Sequence, residues 1–497
     1  MSTNTSPVTP SEGSDQIPHR RLPFWVALAM SVALVGPTLA MSGNGQGLIA
    51  TVGKAIPLVF LIGLIGVSLV GYSFVRLTRH LNHAGSAYGL VGGTLGPRAG
   101  FFSGFAMLGA YVGFAIGTLA LTAAFVNAFI AELQPGNDNP FQVPWLVVVV
   151  IGALISFLLS GRDVRLLAKI LLVIEGVGIV SMIVLVVVIF AKGGAPSTGV
   201  DFSAFSLDGV SASAVLSAVV AAFLSWAGFE ACASMGEETD DPGRNIPRAL
   251  AGTLILTGVL FVVVMFAEVV GFGTDQAGLD AFQNSGNTLG DLGSSYVGQW
   301  FSLLIIFTAI VSAFGCHLAC SATSGRMLYA FGRDGFGPKS LAHIHEGTGG
   351  PRFATWLVVG VALVVDLICG ALGWPDMGTG NAAINTYFLF AVAGSVCLMV
   401  CYLLVEIAAV WFVGAPRFVR IHGGGGKVLG LLLPTLGAIV IAVVLWFNVK
   451  GAQTWSDAPL LGLYWCVVGL VIALAASRIA KRVGESLAAE LAQTQSE

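Results

Sequence analysis

The chain returns again and again to predominantly apolar runs, each near the length of about 20 residues that a bilayer crossing needs. Twelve such runs can be marked, at roughly 23–50, 55–77, 100–131, 144–159, 166–191, 211–235, 247–271, 298–330, 353–372, 384–413, 428–447 and 458–479. No soluble core can absorb that many. Lipid offers no hydrogen bonds, so a segment crossing it must satisfy its own backbone, and a helix does so. Composition agrees: 10% of the 497 residues are charged and the mean hydropathy is +0.87, against about 25% charged residues in a soluble domain. The fold class expected is an all-α integral membrane protein with twelve transmembrane helices.

Charge sets the expected orientation. With the N-terminus inside, every one of the 23 Lys and Arg residues except Lys54, Lys192 and Lys450 falls on a cytoplasmic loop or end. Such asymmetry is what the positive-inside rule demands, and a missed span would scramble it. Both termini are therefore expected in the cytoplasm of a cell-membrane protein, and the acidic 273–295 loop outside. Residues 1–22 and 482–497 read as polar tails. The apolar run after Arg20 and Arg21 is too long for a signal-peptide core and is expected to stay as the first span. The net charge of −3 argues against nucleic acid as a partner. Seven cysteines sit in apolar runs. Cys316, His317 and Cys320 lack the fourth convergent ligand of a closed zinc site, so no metal or cofactor is expected. No Ser/His/Asp set or nucleotide loop points to an enzyme, and no repeated charged ring points to a pore.

Two runs carry interruptions. In the first, Gly36-Pro37-Thr38 falls midway; proline removes an N–H and clashes with the turn before it, yet suits the first position of a new helix. The run reads as two half-helices, or as one kinked helix. In the sixth, Ser225-Trp226-Ala227-Gly228-Phe229 precedes Glu230. Gly228 disfavours helix by about 1 kcal/mol relative to alanine, and a carboxylate at that depth must face protein or water. A helix is expected to resume after Glu230, which would cap or brace it. Gly228 alternatively serves close helix packing. The run Gly43-Asn44-Gly45-Gln46-Gly47 matches neither a phosphate loop nor a dinucleotide fingerprint and reads as the outer end of a half-helix and its loop.

Three motifs resemble one family in the expected order. GFEACASMGEETDDPGRNIPRAL is similar to the sixth-helix signature of the amino acid–polyamine–organocation (APC) superfamily. CSATSGRMLYAFGRDGFGPKSLAHIH resembles its eighth helix and following loop, and HAGSAYGLVGGTLGPRAGFFSGF the stretch between helices two and three. The resemblance spans most of the chain. It implies a transporter core over 23–413, built as a five-plus-five inverted repeat (23–191 and 211–413, spans 1–5 and 6–10) with helices 1 and 6 broken. Two extra helices follow at 428–481. The chain departs from the family's usual Gly-Ser-Gly at the first break, which leaves the substrate open.

Broken helices would turn four half-helix ends toward one cavity. The N-terminal end from Thr38 would suit a carboxylate, and the carbonyls of Ser225 to Ala227 an ammonium. Carried over from the family by position, the substrate-binding candidates are Gly36, Pro37, Thr38, Met41, Ser225, Trp226, Gly228 and Phe229. Trp226 and Phe229 either close over the substrate or serve ordinary packing. Tyr111 in span 3 and Tyr387 in span 10 join them because those spans line the family's cavity. Intramembrane Glu175, Glu268 and Glu406 are coupling candidates. Glu175 stands where the resemblance places a lysine in proton-coupled relatives; it carries a proton, neutralises a cation, or pairs structurally. Ser321, Thr323 and Ser324 offer hydroxyls where a sodium site would draw ligands, or are helix–helix glue. His317 reads as a packed histidine. Arg326, Arg333 and Asp334, with Arg244 and Arg248, read as an inner gate or loop scaffold. The function implied is alternating-access transport of an amino acid, driven by a proton, by sodium or by exchange. An amine, polyamine or ethanolamine-type substrate is the rival, and a sensor that binds without translocating is a second; tails this short hold no signalling domain. The oligomeric state is left open.

Overall fold

The computed structural model describes residues 23–81, 86–137, 140–160, 164–235, 239–344, 350–414 and 424–476. The expected tails at 1–22 and 482–497 lie outside them, as do Glu237 and Glu238. Ten helices among the described residues are long and apolar enough to cross a membrane, and two apolar helices are shorter. No strand ladder occurs among the described residues.

The chain opens with α1 (Phe24–Val35) and α2 (Pro37–Gly43), then runs through α3 (Ile56–Thr78), α4 (Pro97–Glu132), α5 (Trp145–Leu159) and α6 (Val164–Ala191). After a loop come α7 (Ala212–Leu224), α8 (Pro242–Phe272), α9 (Gln299–Asp334), α10 (Arg352–Leu372), α11 (Ala382–Gly414), α12 (Gly424–Lys450) and α13 (Ala458–Ala475). The two short apolar helices are α5 and α7.

Three expectations need correction. The sixth run is α-helical only to Leu224; beyond Glu230 it continues as a 3₁₀ turn, Ala231–Met235, rather than a resumed α-helix. The segment drawn as a loop around Arg244 and Arg248 is already α8, which begins at Pro242 and carries Pro247 inside it, at the expense of one i→i−4 bond. The 273–295 loop contains two short helices, Gln276–Gln283 and Thr288–Tyr296, started by Asp275 and Asn287 side chains that accept from Gly278 and Gly290 N–H, ordinary N-cap chemistry.

Helices α4 and α11 form the central packed pair. At their crossing Gly394 lies so close to α4 that a Cβ there would come within 2.9 Å of the Ala110 carbonyl. Small residues permit this backbone approach inside a membrane, and it brings Tyr111 and Tyr387 to one interior face. The outer helices instead present apolar stripes. On α6, Val173, Val180 and Val187 recur every seven residues and are 67%, 61% and 60% exposed. A surface of that kind suits lipid tails and would be a liability in water.

Candidate functional site

The first break is local in origin. Gly36 adopts a left-handed conformation (φ 57°, ψ 63°) that closes α1, and Pro37 starts α2 at once. In an unbroken helix the N–H groups of Thr38 and Leu39 would bond the carbonyls of Leu34 and Val35. Here Thr38 N–H donates to Glu175 Oε1 at 2.7 Å, and Leu39 N–H to Ser312 Oγ at 3.1 Å. Helix α6 supplies the carboxylate and α9 the hydroxyl. The Leu34 and Val35 carbonyls thereby lose their helical donors; Cys316 Sγ lies 3.5 Å from Leu34 O.

The second break is longer. After Leu224 the backbone tightens to i→i−3 bonds, Trp226 N–H to Phe223 O and Ala227 N–H to Leu224 O, both 3.1 Å. Gly228 then turns at φ 99°. Glu230, fully buried, accepts from Tyr111 OH of α4 at 2.7 Å and Tyr402 OH of α11 at 2.8 Å. These bonds place Glu230 as a brace between helices.

The breaks are tied to each other. Asn44, just past α2, donates from Nδ2 to Ser225 Oγ at 2.8 Å, and its Oδ1 accepts from Tyr387 OH at 2.5 Å. One side chain thus joins the first break, the second break and α11. Below it Cys232 N–H donates to Ser31 Oγ at 3.0 Å.

Between these elements lies a cavity. Leu34 and Val35 line it from one side of the first break, Leu39, Ala40 and Asn44 from the other. Helix α4 adds Tyr111, Phe114 and Thr118, and the second break adds Leu224 and Ala227. Cys316 and Cys320 of α9 and Tyr387 of α11 complete the wall. No charged side chain is part of that wall. Among the described residues the fully buried charged groups are all acids, Glu175, Glu230, Glu268, Asp366 and Glu406; no Lys or Arg is buried.

The substrate-binding positions singled out from sequence fall into three groups. Tyr111 and Tyr387 line the cavity. Gly36, Pro37, Thr38, Met41, Ser225 and Gly228 form the breaks behind the wall, and Met41 O accepts from Thr288 Oγ1 at 3.1 Å. Trp226 and Phe229 face other helices. The Trp226 ring is held between Phe60 and Phe261 at 5.7 and 5.5 Å, and Phe229 meets Phe74 and Tyr402 at 5.6 and 5.8 Å. Of the coupling candidates, Glu175 meets the first break, but Ser321 and Ser324 lie roughly 13 and 18 Å further along α9 than Ser312, at 1.5 Å per residue. Their buried hydroxyls have no hydrogen-bond partner among the described residues. His317 is buried with Nδ1 on Ala115 O at 2.7 Å. Arg333 pairs with Asp334 at 3.1 Å at the end of α9, and Tyr88 OH donates to that Asp334 at 2.6 Å.

Sequence reasoning missed Asn44, Ser312, Phe114, Thr118, Tyr402 and the two thiols. Asn44 carried a signal: with Gln46 it is one of two amide side chains in a run whose other residues are glycines. Ser312 carried none, since serines are frequent in membrane helices as packing contacts.

Comparison with known proteins agrees with this architecture. The low-affinity putrescine importer PlaP of Escherichia coli is 24% identical over 84% of this chain and 84% of its own. The branched-chain amino acid permease BcaP of Lactococcus lactis is 26% identical over 68% and 73%, and the aspartate-proton symporter of Bacillus subtilis 24% over 60% and 58%. These are transporters, not enzymes. The amino acid permease family model matches residues 22–472, nearly the whole multi-pass membrane bundle, and the chain belongs to that family.

Proposed function

We propose that the protein is a secondary active transporter that moves an amino acid or a related amine across the cell membrane by alternating access. The observation that carries this reading is the cavity itself, walled by the two interrupted helices deep inside an apolar bundle. Irregular backbone at that depth is tolerated where it lines a cavity, and transporters place substrate there. The ten long helices, with two shorter apolar ones among the described residues, support a count of twelve spans. Interruptions in the first and sixth are what a five-plus-five inverted repeat requires. The basic residues on alternate loops support cytoplasmic termini.

Coupling is assigned to a proton on Glu175, with exchange as the other mode. The carboxylate grips Thr38 N–H, a charge-assisted bond that weakens when the carboxyl takes up a proton. Protonation would loosen α2 at the hinge between the half-helices, which links proton and conformation.

Uptake of radiolabelled amino acids and amines into proteoliposomes, with and without an inward pH gradient, tests the reading. Gradient-stimulated uptake of one class, lost in Glu175→Gln with binding retained, is expected. Uptake that needs only internal substrate and is unchanged in the variant would leave an exchanger with a structural Glu175. Saturable binding with no flux of any compound would overturn transport.

A further inference from the structure

The geometry points to Glu175 as a specificity-determining residue: an internal carboxylate that fills the anion pole of the first break, so that the cavity selects amines lacking a carboxylate over the parent amino acids. This rests on reading the cavity as the transport site.

Donors and acceptors around the first break decide what it can bind. The two N–H groups released at the first break could serve a substrate carboxylate only if they were open. Glu175 takes one and Ser312 the other. The arrangement is built in by packing. Gly178, one helical turn beyond Glu175, lets α6 press against α2; a Cβ there would lie 2.1 Å from Thr38 Oγ1. Any larger residue would push Glu175 off the helix end.

The remaining hydroxyls on the cavity wall are committed in the same sense. Tyr111 OH donates to Glu230, Tyr387 OH to Asn44 Oδ1, and Thr118 Oγ1 to Phe114 O at 2.7 Å. Carboxylate, amide and carbonyl oxygens only accept, so each hydroxyl hydrogen points into protein and each oxygen keeps lone pairs for a guest. The Leu34 and Val35 carbonyls, deprived of their helical donors, add acceptors from residues of the same wall, Leu34 O sharing its lone pairs with the Cys316 thiol that donates to it. A primary ammonium brings three donors and no acceptor and fits this set. A zwitterion would bring a carboxylate to a wall with few free donors and no cation, and a buried charge left unpaired is rejected strongly. The apolar remainder of the wall suits a short hydrocarbon body.

The test is competition binding on the purified full-length protein with matched pairs: valine and isobutylamine, tyrosine and tyramine, ornithine and putrescine. For the pair that binds, the amine is expected to exceed its parent amino acid in affinity by about tenfold or more in the wild type, the scale of one lost polar contact. Glu175→Ala, which opens the anion pole, is expected to narrow or reverse that ratio. Glu175→Gln, whose amide oxygen still accepts from Thr38 N–H, is expected to keep it. An amino acid that matches or beats its amine in the wild type overturns the inference and leaves the transport reading standing, and this holds even where the alanine variant fails to fold. A ratio unchanged in folded Glu175→Ala overturns the role of Glu175. Saturable binding of an amine without flux sinks transport but not the selectivity.

Discussion

The two interruptions look alike in sequence, a glycine among apolar residues, yet they are built differently. The first is one residue wide. Gly36 turns left-handed, Pro37 restarts the helix, and two side chains from α6 and α9 receive the released N–H groups. The second never returns to an α-helix within the described residues; it tightens, turns at Gly228 and runs on as a 3₁₀ segment around a carboxylate held by two tyrosines. A sharp hinge is encoded by its own dipeptide. A long unwound stretch depends on what surrounds it.

That contrast can be broken most forcefully at the glycines. A Cβ on Gly228 would fall 2.7 Å from Leu34 Cδ2 on a backbone at φ 99°. Gly228→Ala is expected to cost on the order of 3 kcal/mol from strain and overpacking combined. Gly36→Ala meets Ser312 Oγ at 3.2 Å at φ 57°, ordinary left-handed geometry worth about 1–2 kcal/mol. Thermal unfolding in detergent should rank Gly228→Ala well below Gly36→Ala; the reverse order would end the comparison.

A smaller effect separates the brace from the cavity. Tyr111→Phe and Tyr402→Phe each remove one donor from buried Glu230, and each is expected to lower stability by about 1–3 kcal/mol. Only Tyr111 lines the cavity. Substrate KM should therefore rise in Tyr111→Phe and stay near wild type in Tyr402→Phe. Equal KM changes would show that the cavity is not where substrate sits.

At the first break, Ser312→Ala removes the acceptor for Leu39 N–H and is expected to cost about 1 kcal/mol, the usual value of a lost helix cap. A melting temperature unchanged from wild type would mean that the hinge needs only Glu175.

The smallest effect lies away from both breaks and serves as a control. In the loop after α6, Asp201 accepts from Ser203 N–H at 2.9 Å and Thr274 Oγ1 at 2.8 Å, with Lys54 at 3.4 Å. The Ser203 side chain first, then its N–H, with Thr274 and Lys54 adding less, hold the Asp201 carboxyl well below its ordinary range. Because the folded value is the lower one, the stabilisation is present above about pH 4 and is lost as pH falls further. Melting curves of wild type and Asp201→Asn should differ by a constant amount above about pH 5, and the gap should shrink steadily as pH falls below about 4 toward the depressed folded value. A gap of the same size at about pH 2.5 as at about pH 6 would assign the stabilisation to something other than the charge.

Much of this was legible in the chain because it is local or periodic. The apolar runs match the helices within a few residues at 55–77 and 144–159, where Ile56–Thr78 and Trp145–Leu159 form, since hydropathy over a span is a sum that single contacts cannot overturn. Gly36-Pro37 announced its hinge because both residues act on their own backbone. The orientation of Trp226 and Phe229 was not legible: which face of an unwound segment meets the cavity depends on neighbours on α3, α8 and α11. The same holds for Glu175 at the end of α2, a contact across 137 positions of chain, and for Asn44, whose role exists only where three elements converge.

Cys316 and Cys320, their sulfurs 3.9 Å apart, are free thiols that border the cavity. Their alkylation rate is a clock. A membrane-impermeant reagent added on one side can modify them only while the protein is open to that side. The ratio of the two one-sided rates reads the share of time spent facing each compartment, and slowing by a bound solute reads occupancy, with no label added to the chain.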